Sequence, residues 1–179
     1  MKIRLAADLQ TDSIVDGLGI RTVIWTQGCS HNCLGCHNPS THDFKGGELV
    51  ELDDVLYVLE ELSGQDGITL SGGDPFFQAK ECAELAKKAH ELGMNVWAYT
   101  GFVYEDLINS KKKDILELLF QIDVLIDGKF DISKKSLDCP FRGSSNQRII
   151  DVKKSLENHE VILFEINKKN EVKKECVYI

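Results

Sequence analysis

The chain has 179 residues, 42% hydrophobic and 28% charged, the make-up of a folded protein rather than a disordered or low-complexity one. Twenty-nine acidic against 21 basic residues leave a formal charge of −8, and the lysine runs at 111–113, 134–135, 153–154, 168–169 and 173–174 are short and flanked by acids. That argues against nucleic-acid binding as the main task, and no run approaches the ~20 apolar residues of a bilayer span.

Taken in chain order, apolar periodicity predicts alternating strands and helices. Residues 3–9 and the turn Asp16-Gly17-Leu18-Gly19 suggest a leading hairpin. Val23-Ile24-Trp25 reads as a buried strand running into a cysteine-rich loop. Leu52, Val55, Leu56, Leu59 and Leu62 share one helical face, and Ile68-Thr69-Leu70 is the next strand. A stripe of Cys82, Leu85, Ala86, Ala89 and Leu92 follows, closed by Gly93 as a helix stop. Val96 to Tyr99 is a third strand, 104–120 is helical with a break near Asn109, Val124-Leu125-Ile126 is a fourth strand, and Arg148 to Val152 a fifth.

Short, continuously apolar strands alternating with helices imply a parallel sheet covered on both faces. A closed (β/α)₈ barrel takes ~250 residues. The expected fold is therefore α/β: a partial, open parallel (β/α) barrel of about five units, with a β appendage in which 161–166 and 177–179 are strands. A single domain over 1–179 is expected, its core at about 16–152 and the appendage at about 153–179. In such barrels chemistry collects where the strands end. Those ends carry the cysteine loop, Ser71-Gly72-Gly73-Asp74-Pro75, Tyr99-Thr100-Gly101 and Asp127-Gly128-Lys129.

The opening run Met1 to Ser13 lacks the apolar stretch of a secretory signal, so a cytoplasmic protein is expected. Six cysteines in that setting read as metal or redox ligands rather than disulfides. Three of them, Cys29, Cys33 and Cys36, have the spacing C-x₃-C-x₂-C with no fourth nearby. Thiolates are the ligands of iron–sulfur clusters, and three would leave one iron of a [4Fe–4S] cubane free for a substrate. Other readings compete: a Cys₃His zinc site with His31 or His37, the C-x-x-C-H haem-attachment signature at Cys33 to His37, and a thioredoxin-like C-x-x-C in which Cys29 is redundant. Cys82 reads as core, Cys139 as a structural thiol before the loop at 142–146, and Cys176 as lying near a frayed end. His42, His90 and His159 have no partner pattern, whereas Ser144, Ser145 and Asn146 are placed toward a ligand at the rim.

The cysteine spacing after the first buried strand, followed by Gly-Gly-Asp-Pro after the second, resembles the radical S-adenosylmethionine (SAM) superfamily. Asp16-Gly-Leu-Gly-Ile-Arg21 and Asp127-Gly-Lys129 resemble the activases of glycyl-radical enzymes. The run Phe141-Arg-Gly-Ser-Ser-Asn-Gln-Arg-Ile-Ile150 is similar to the activating proteins of anaerobic (class III) ribonucleoside-triphosphate reductase. The resemblance implies a [4Fe–4S] cluster on Cys29, Cys33 and Cys36, with SAM on the fourth iron. Reductive cleavage of SAM would yield methionine and a 5′-deoxyadenosyl radical, which takes hydrogen from a glycine of the reductase. It further implies SAM contacts at Gly35, His37, Gly72, Gly73, Asp74, Pro75, Tyr99, Thr100, Asp127 and Lys129. No catalytic side chain is implied beyond the cluster and SAM. The implied partners are the glycyl-radical subunit of the reductase and a low-potential electron donor such as flavodoxin or ferredoxin, with neither nucleic acid nor membrane. Two positions depart from the common superfamily pattern: Gly35 replaces an aromatic before the third cysteine, and Asp74 a glutamate. The alternatives are the activase of pyruvate formate-lyase or another glycyl-radical enzyme and, in a different class, a non-catalytic zinc or electron-transfer module.

Overall fold

A computed structural model describes residues 1–166. Its strands are β1 (Lys2–Leu5), β2 (Gln10–Ser13), β3 (Arg21–Thr26), β4 (Glu48–Glu51), β5 (Gly67–Gly72), β6 (Asn95–Tyr99), β7 (Val124–Asp127) and β8 (Arg148–Asp151). The helices are α1 (Leu52–Glu61), α2 (Ala79–Glu91), α3 (Tyr104–Ile108), α4 (Lys113–Gln121) and α5 (Val152–Asn158). The sheet runs β4-β1-β3-β5-β6-β7-β8, with β2 also on β3. Since β4 and β8 stand at its two ends, the sheet is open, as expected for a partial barrel.

β3, β5, β6 and β7 are parallel, with α1 leading into β5 and helices joining β5 to β6 and β6 to β7. Side chains alternate between two apolar layers, as the two-residue period of a strand requires. Val96, Ala98, Leu125 and Ile150 face the layer of helices, packing with Leu85, Ala86, Leu118 and Leu119. Trp97, Val124, Ile126 and Ile149 face the other side, where Leu18, Tyr99, Phe141, Phe164 and Ile166 cover them. Double coverage is why these strands are apolar throughout. α2 stops where Gly93 takes a φ of +78°, the left-handed conformation that glycine adopts at little cost. The break near Asn109 is real, because α3 and α4 are separate helices.

Three expectations need correction. β8 is antiparallel to β7, not a fifth parallel strand, with Asp127 opposite Arg148. A parallel strand needs the chain carried back to the far end of the sheet by a crossover. Residues 128–147 instead contain only a short 3-10 turn, so the chain re-enters the sheet at the end where β7 left it. The leading hairpin is formed by β2 and β3 around the Asp16–Gly19 turn, while β1 pairs with β3 and β4 rather than with β2. The appendage opens with helix α5, capped by the Asp151 carboxylate on the Lys154 N–H. Of its β part, residues near 163 do join the edge of β8, through Phe164 N–H to Ile149 O and Asp151 N–H to Ile162 O. The expected strand at 177–179 lies outside the described residues. Edge strand β4 was not foreseen, since its Glu-Leu-Val-Glu is too short and too polar to show a period. Among the described residues no helix is long and apolar enough to cross a membrane.

Candidate functional site

The parallel register places Thr26 opposite Gly72 and Tyr99 opposite Ile126, so the loops after β3, β5, β6 and β7 share one rim. Two of them are stitched together by main-chain bonds. Gly73 N–H donates to Thr26 O (2.7 Å) and Asp74 N–H to Gly28 O (3.0 Å). A Cβ on Gly72 would lie 2.5 Å from Thr26 O, and one on Gly73 would lie 2.4 Å from Gly28 O. Both glycines are therefore required by the backbone of the cysteine loop pressed against them.

Asp74 is the knot of this rim. It is 1% exposed. Its Oδ2 accepts from His31 Nε2 (2.7 Å), Thr100 Oγ1 (2.8 Å) and Gly101 N–H (2.9 Å), and its Oδ1 from Phe76 N–H (3.0 Å). Four protein donors occupy the carboxylate, so it braces three loops. His31, between the first two cysteines, lies edge-on to Phe102 with ring centroids 4.6 Å apart. Gly101 has no room for a Cβ, which would meet the His31 ring at 2.4 Å.

A cavity of about 450 Å³ opens between these loops. Of the expected site residues, Cys29, Cys33, Cys36, His37, Gly72, Gly73, Tyr99 and Thr100 line it. All three cysteines there are free thiols. Asn38 N–H points to Cys36 Sγ (3.4 Å), and the His31 N–H to the Cys29 sulfur, whose thiol burial pushes up. Burial also raises the Tyr99 phenol.

The remaining expected residues lie elsewhere. Gly35 (φ +73°) packs against Ile132, and Pro75 is buried at the start of a 3-10 turn. Asp127 and Lys129 line a second cavity, of about 510 Å³, which shares Gly128 and Phe130 with the first. Asn146 lines that second cavity too, donating to Lys129 O (2.9 Å), while Ser144 Oγ accepts from Asp131 N–H (3.1 Å). The loop 128–147 doubles back over the rim and lines both cavities, and Leu34 of the cysteine loop borders the second. Sequence reasoning weighed His31 only as a zinc ligand and carried Asp16, Phe141, Arg142 and Gln147 only as letters of motifs; all five line the first cavity. Phe141 to Gln147 were on view as a motif, but no spacing rule points their side chains.

Asp127 is 1% exposed, accepting from Tyr104 N–H (2.8 Å) and Arg148 Nε (2.9 Å). The same guanidinium grips Glu105 at 2.9 and 2.7 Å and, by its hydrogen bonds, lowers that carboxyl to about 2. An unfolded glutamate titrates near 4.3. The folded state thus gains stability from Glu105 above that value and loses it as pH falls toward 2. Because Glu105 is half exposed, the contribution is under about 1 kcal/mol. Glu105→Gln should flatten the acid limb of stability between about pH 4.5 and 2.5 by that amount, as read by urea titration at each pH.

A single tetrahedral ion needs its donors within about 2.0–2.3 Å of one point. Among the described residues no three His, Cys, Asp or Glu side chains form such a group. The three thiols line one cavity. That suits a cluster in which each thiolate holds a different iron, and the donor set fits a [4Fe–4S] group with one open corner.

The fold and this rim define an iron–sulfur protein of the α/β class, and residues 15–150 match the family model described as a 4Fe-4S single cluster domain. The chain is 36% identical over 143 residues to the anaerobic ribonucleoside-triphosphate reductase-activating protein of Enterobacteria phage T4, covering 75% of this chain and 86% of that protein. It is 34% identical over 142 residues to the protein of the same name from Salmonella typhimurium, covering 75% and 90%. The chain belongs to the family of anaerobic ribonucleoside-triphosphate reductase-activating proteins. Among solved structures it is similar to QueE from Escherichia coli, at 14% identity and a TM-score of 0.46 over 56% of this chain and 53% of that one.

Proposed function

We propose that this chain is the radical SAM activase of an anaerobic ribonucleoside-triphosphate reductase, installing a glycyl radical on that partner. Cys29, Cys33 and Cys36 would hold a [4Fe–4S] cluster whose open iron takes the amino and carboxylate groups of SAM. When bound, the pair supplies a low-potential electron and reductive cleavage of the sulfonium, the source of the hydrogen-abstracting radical. The observation that carries this reading is the placement of three free thiols, Gly72 and Gly73 around one cavity.

The chain's own residues bind, orient and exclude water. His31, Thr100 and Gly101, gathered on Asp74, fix where the cysteine loop stands over the strand ends. Phe77 and Phe102, with ring centroids 5.6 Å apart, back His31 and shield this side of the loop. Gly72 and Gly73 present main-chain groups to the ligand, and His37 and Tyr99 bound the space left for its nucleoside. Val15, 69% exposed, lines the same cavity. The cavity therefore meets the surface at the 14–20 turn, where a partner's glycine loop has access. The electron donor is a low-potential protein such as a flavodoxin or ferredoxin, the working compartment is the cytoplasm, and residues 1–179 act as one domain.

The test is anaerobic reconstitution with iron and sulfide, then dithionite and SAM. Methionine and 5′-deoxyadenosine should form in equal amounts. Mixing with the reductase should give a glycyl-radical EPR doublet, whereas mixing with pyruvate formate-lyase should not. A preparation that binds zinc and leaves SAM intact would overturn the reading.

A further inference from the structure

The loop that doubles back over the rim carries a cation with an unused face. Arg142 lines the cysteine cavity. One end of its guanidinium is tied, Nη1 donating to Gln147 O (3.0 Å). Its Nε is buried and makes no hydrogen bond, and Nη2 has no protein acceptor among the described residues. No carboxylate lies within ion-pair distance of Arg142 among those residues. Asp16, the carboxylate on the same cavity, is turned to Ser13 Oγ (2.5 Å).

The segment holding Arg142 is braced. Gln147 Oε1 accepts from Gly143 N–H (2.9 Å) and Ser144 N–H (3.2 Å), and its Nε2 donates to Gly128 O (3.0 Å). Phe141 stands edge-on to Trp97, with ring centroids 5.3 Å apart, and has a φ of +58°. A bulky side chain rarely adopts that backbone conformation, and such strain persists only where the surroundings enforce it. Here Phe141 packs on Trp97 at the edge of the apolar layer, and both it and Arg142 line the cavity.

The Nε–Nη2 edge of a guanidinium is the fork that takes a carboxylate with two parallel hydrogen bonds. A buried, unpaired N–H on that edge is costly unless a ligand satisfies it. Lys129, the one cation among the expected SAM contacts apart from histidine, lines the second cavity instead. We infer that Arg142 is the residue that binds the carboxylate of the amino-acid end of SAM in the cysteine cavity. The inference rests on the activase reading and adds to it the side chain that selects an amino-acid nucleoside over a simple one.

The experiment compares binding of SAM and of decarboxylated SAM, by anaerobic equilibrium dialysis, to reconstituted wild type, Arg142→Gln and Arg142→Lys. Arg142→Gln should weaken SAM binding roughly ten- to hundredfold, the scale of one charge-assisted pair. Decarboxylated SAM should bind the variant within about threefold of wild type, and Arg142→Lys should recover part of the loss. The cluster absorbance of each variant reports that the loop is intact. Should Arg142→Gln misfold, Arg142→Lys serves alone, its planar fork lost while its charge is kept. Undiminished SAM binding, or an equal loss for both nucleosides, would overturn the assignment. A wild-type chain that bound neither nucleoside would instead remove the activase reading itself.

Discussion

Cys33→Ala, reconstituted with iron and sulfide without air, is expected to hold almost no cluster while keeping its fold. Each thiolate of a cubane secures a different iron, and this loop offers only three. With two left, iron per chain should fall roughly tenfold or more, and the brown absorbance and SAM cleavage with it. Folding should be spared. Cys33 is half-buried in a loop and belongs to neither apolar layer, and its one local bond is made by its carbonyl, from Cys36 N–H (3.2 Å). A substitution of that kind typically shifts stability by no more than about 0.5 kcal/mol. Cys82→Ala is the control. That thiol is fully buried among Leu85, Ala86 and their neighbours, and burial, helped by the charges of Glu81 and Asp74, pushes it far above its usual range. Its loss should leave the iron content intact, showing that placement matters and not the number of thiols. A Cys33→Ala protein as brown and active as its parent would end the cluster assignment.

What could be read without coordinates divides along the range of the interaction. Strands β3, β5, β6 and β7 were legible because burial on both faces demands unbroken apolar runs such as Val96-Trp97-Ala98. α1 and α2 were legible from one-sided stripes, and the cysteine loop from spacing alone. The direction of β8 was not. Arg148 to Asp151 would read the same in either orientation, and only the absence of a crossover helix from 128–147 decides it. The same reversal explains where the residues of this rim lie. Asp127 stands at a strand end as expected, but its carboxylate is claimed by Arg148 on the neighbouring antiparallel strand. Ser144, Ser145 and Asn146 reach the rim but do not line the cysteine cavity. Arg142 and Gln147, which the motif carries as plain letters, do line it. At Gly72 and Gly73 the structure adds a reason invisible in a linear pattern: the backbone of Thr26 and Gly28 excludes a side chain at both.

The second large effect belongs to Asp74. Asp74→Ala should lower the unfolding free energy of the metal-free protein by about 3–5 kcal/mol, the range for removing one partner of a buried, hydrogen-bonded charge. The substitution strands four donors at once: the His31 ring, the Thr100 hydroxyl, and the N–H groups of Gly101 and Phe76. Each unsatisfied buried donor costs about 1–3 kcal/mol unless relaxation or water rescues it, so the sum of their individual costs is an upper limit. Relaxation is where stability meets function. His31 lies two residues from Cys29 and two from Cys33, so its release frees the loop that must set three thiols in one geometry. Asp74→Asn keeps the size of the side chain and one acceptor oxygen, and should fall between the parent and Asp74→Ala in both stability and iron retained. Urea titration of the metal-free proteins and iron analysis after reconstitution separate the two effects. An Asp74→Ala protein within about 0.5 kcal/mol of its parent, with full iron, would show that the cysteine loop stands without its brace. A loss of stability without a loss of iron would confine Asp74 to the fold. A joint loss makes it the residue through which the strand ends hold the cluster loop in place.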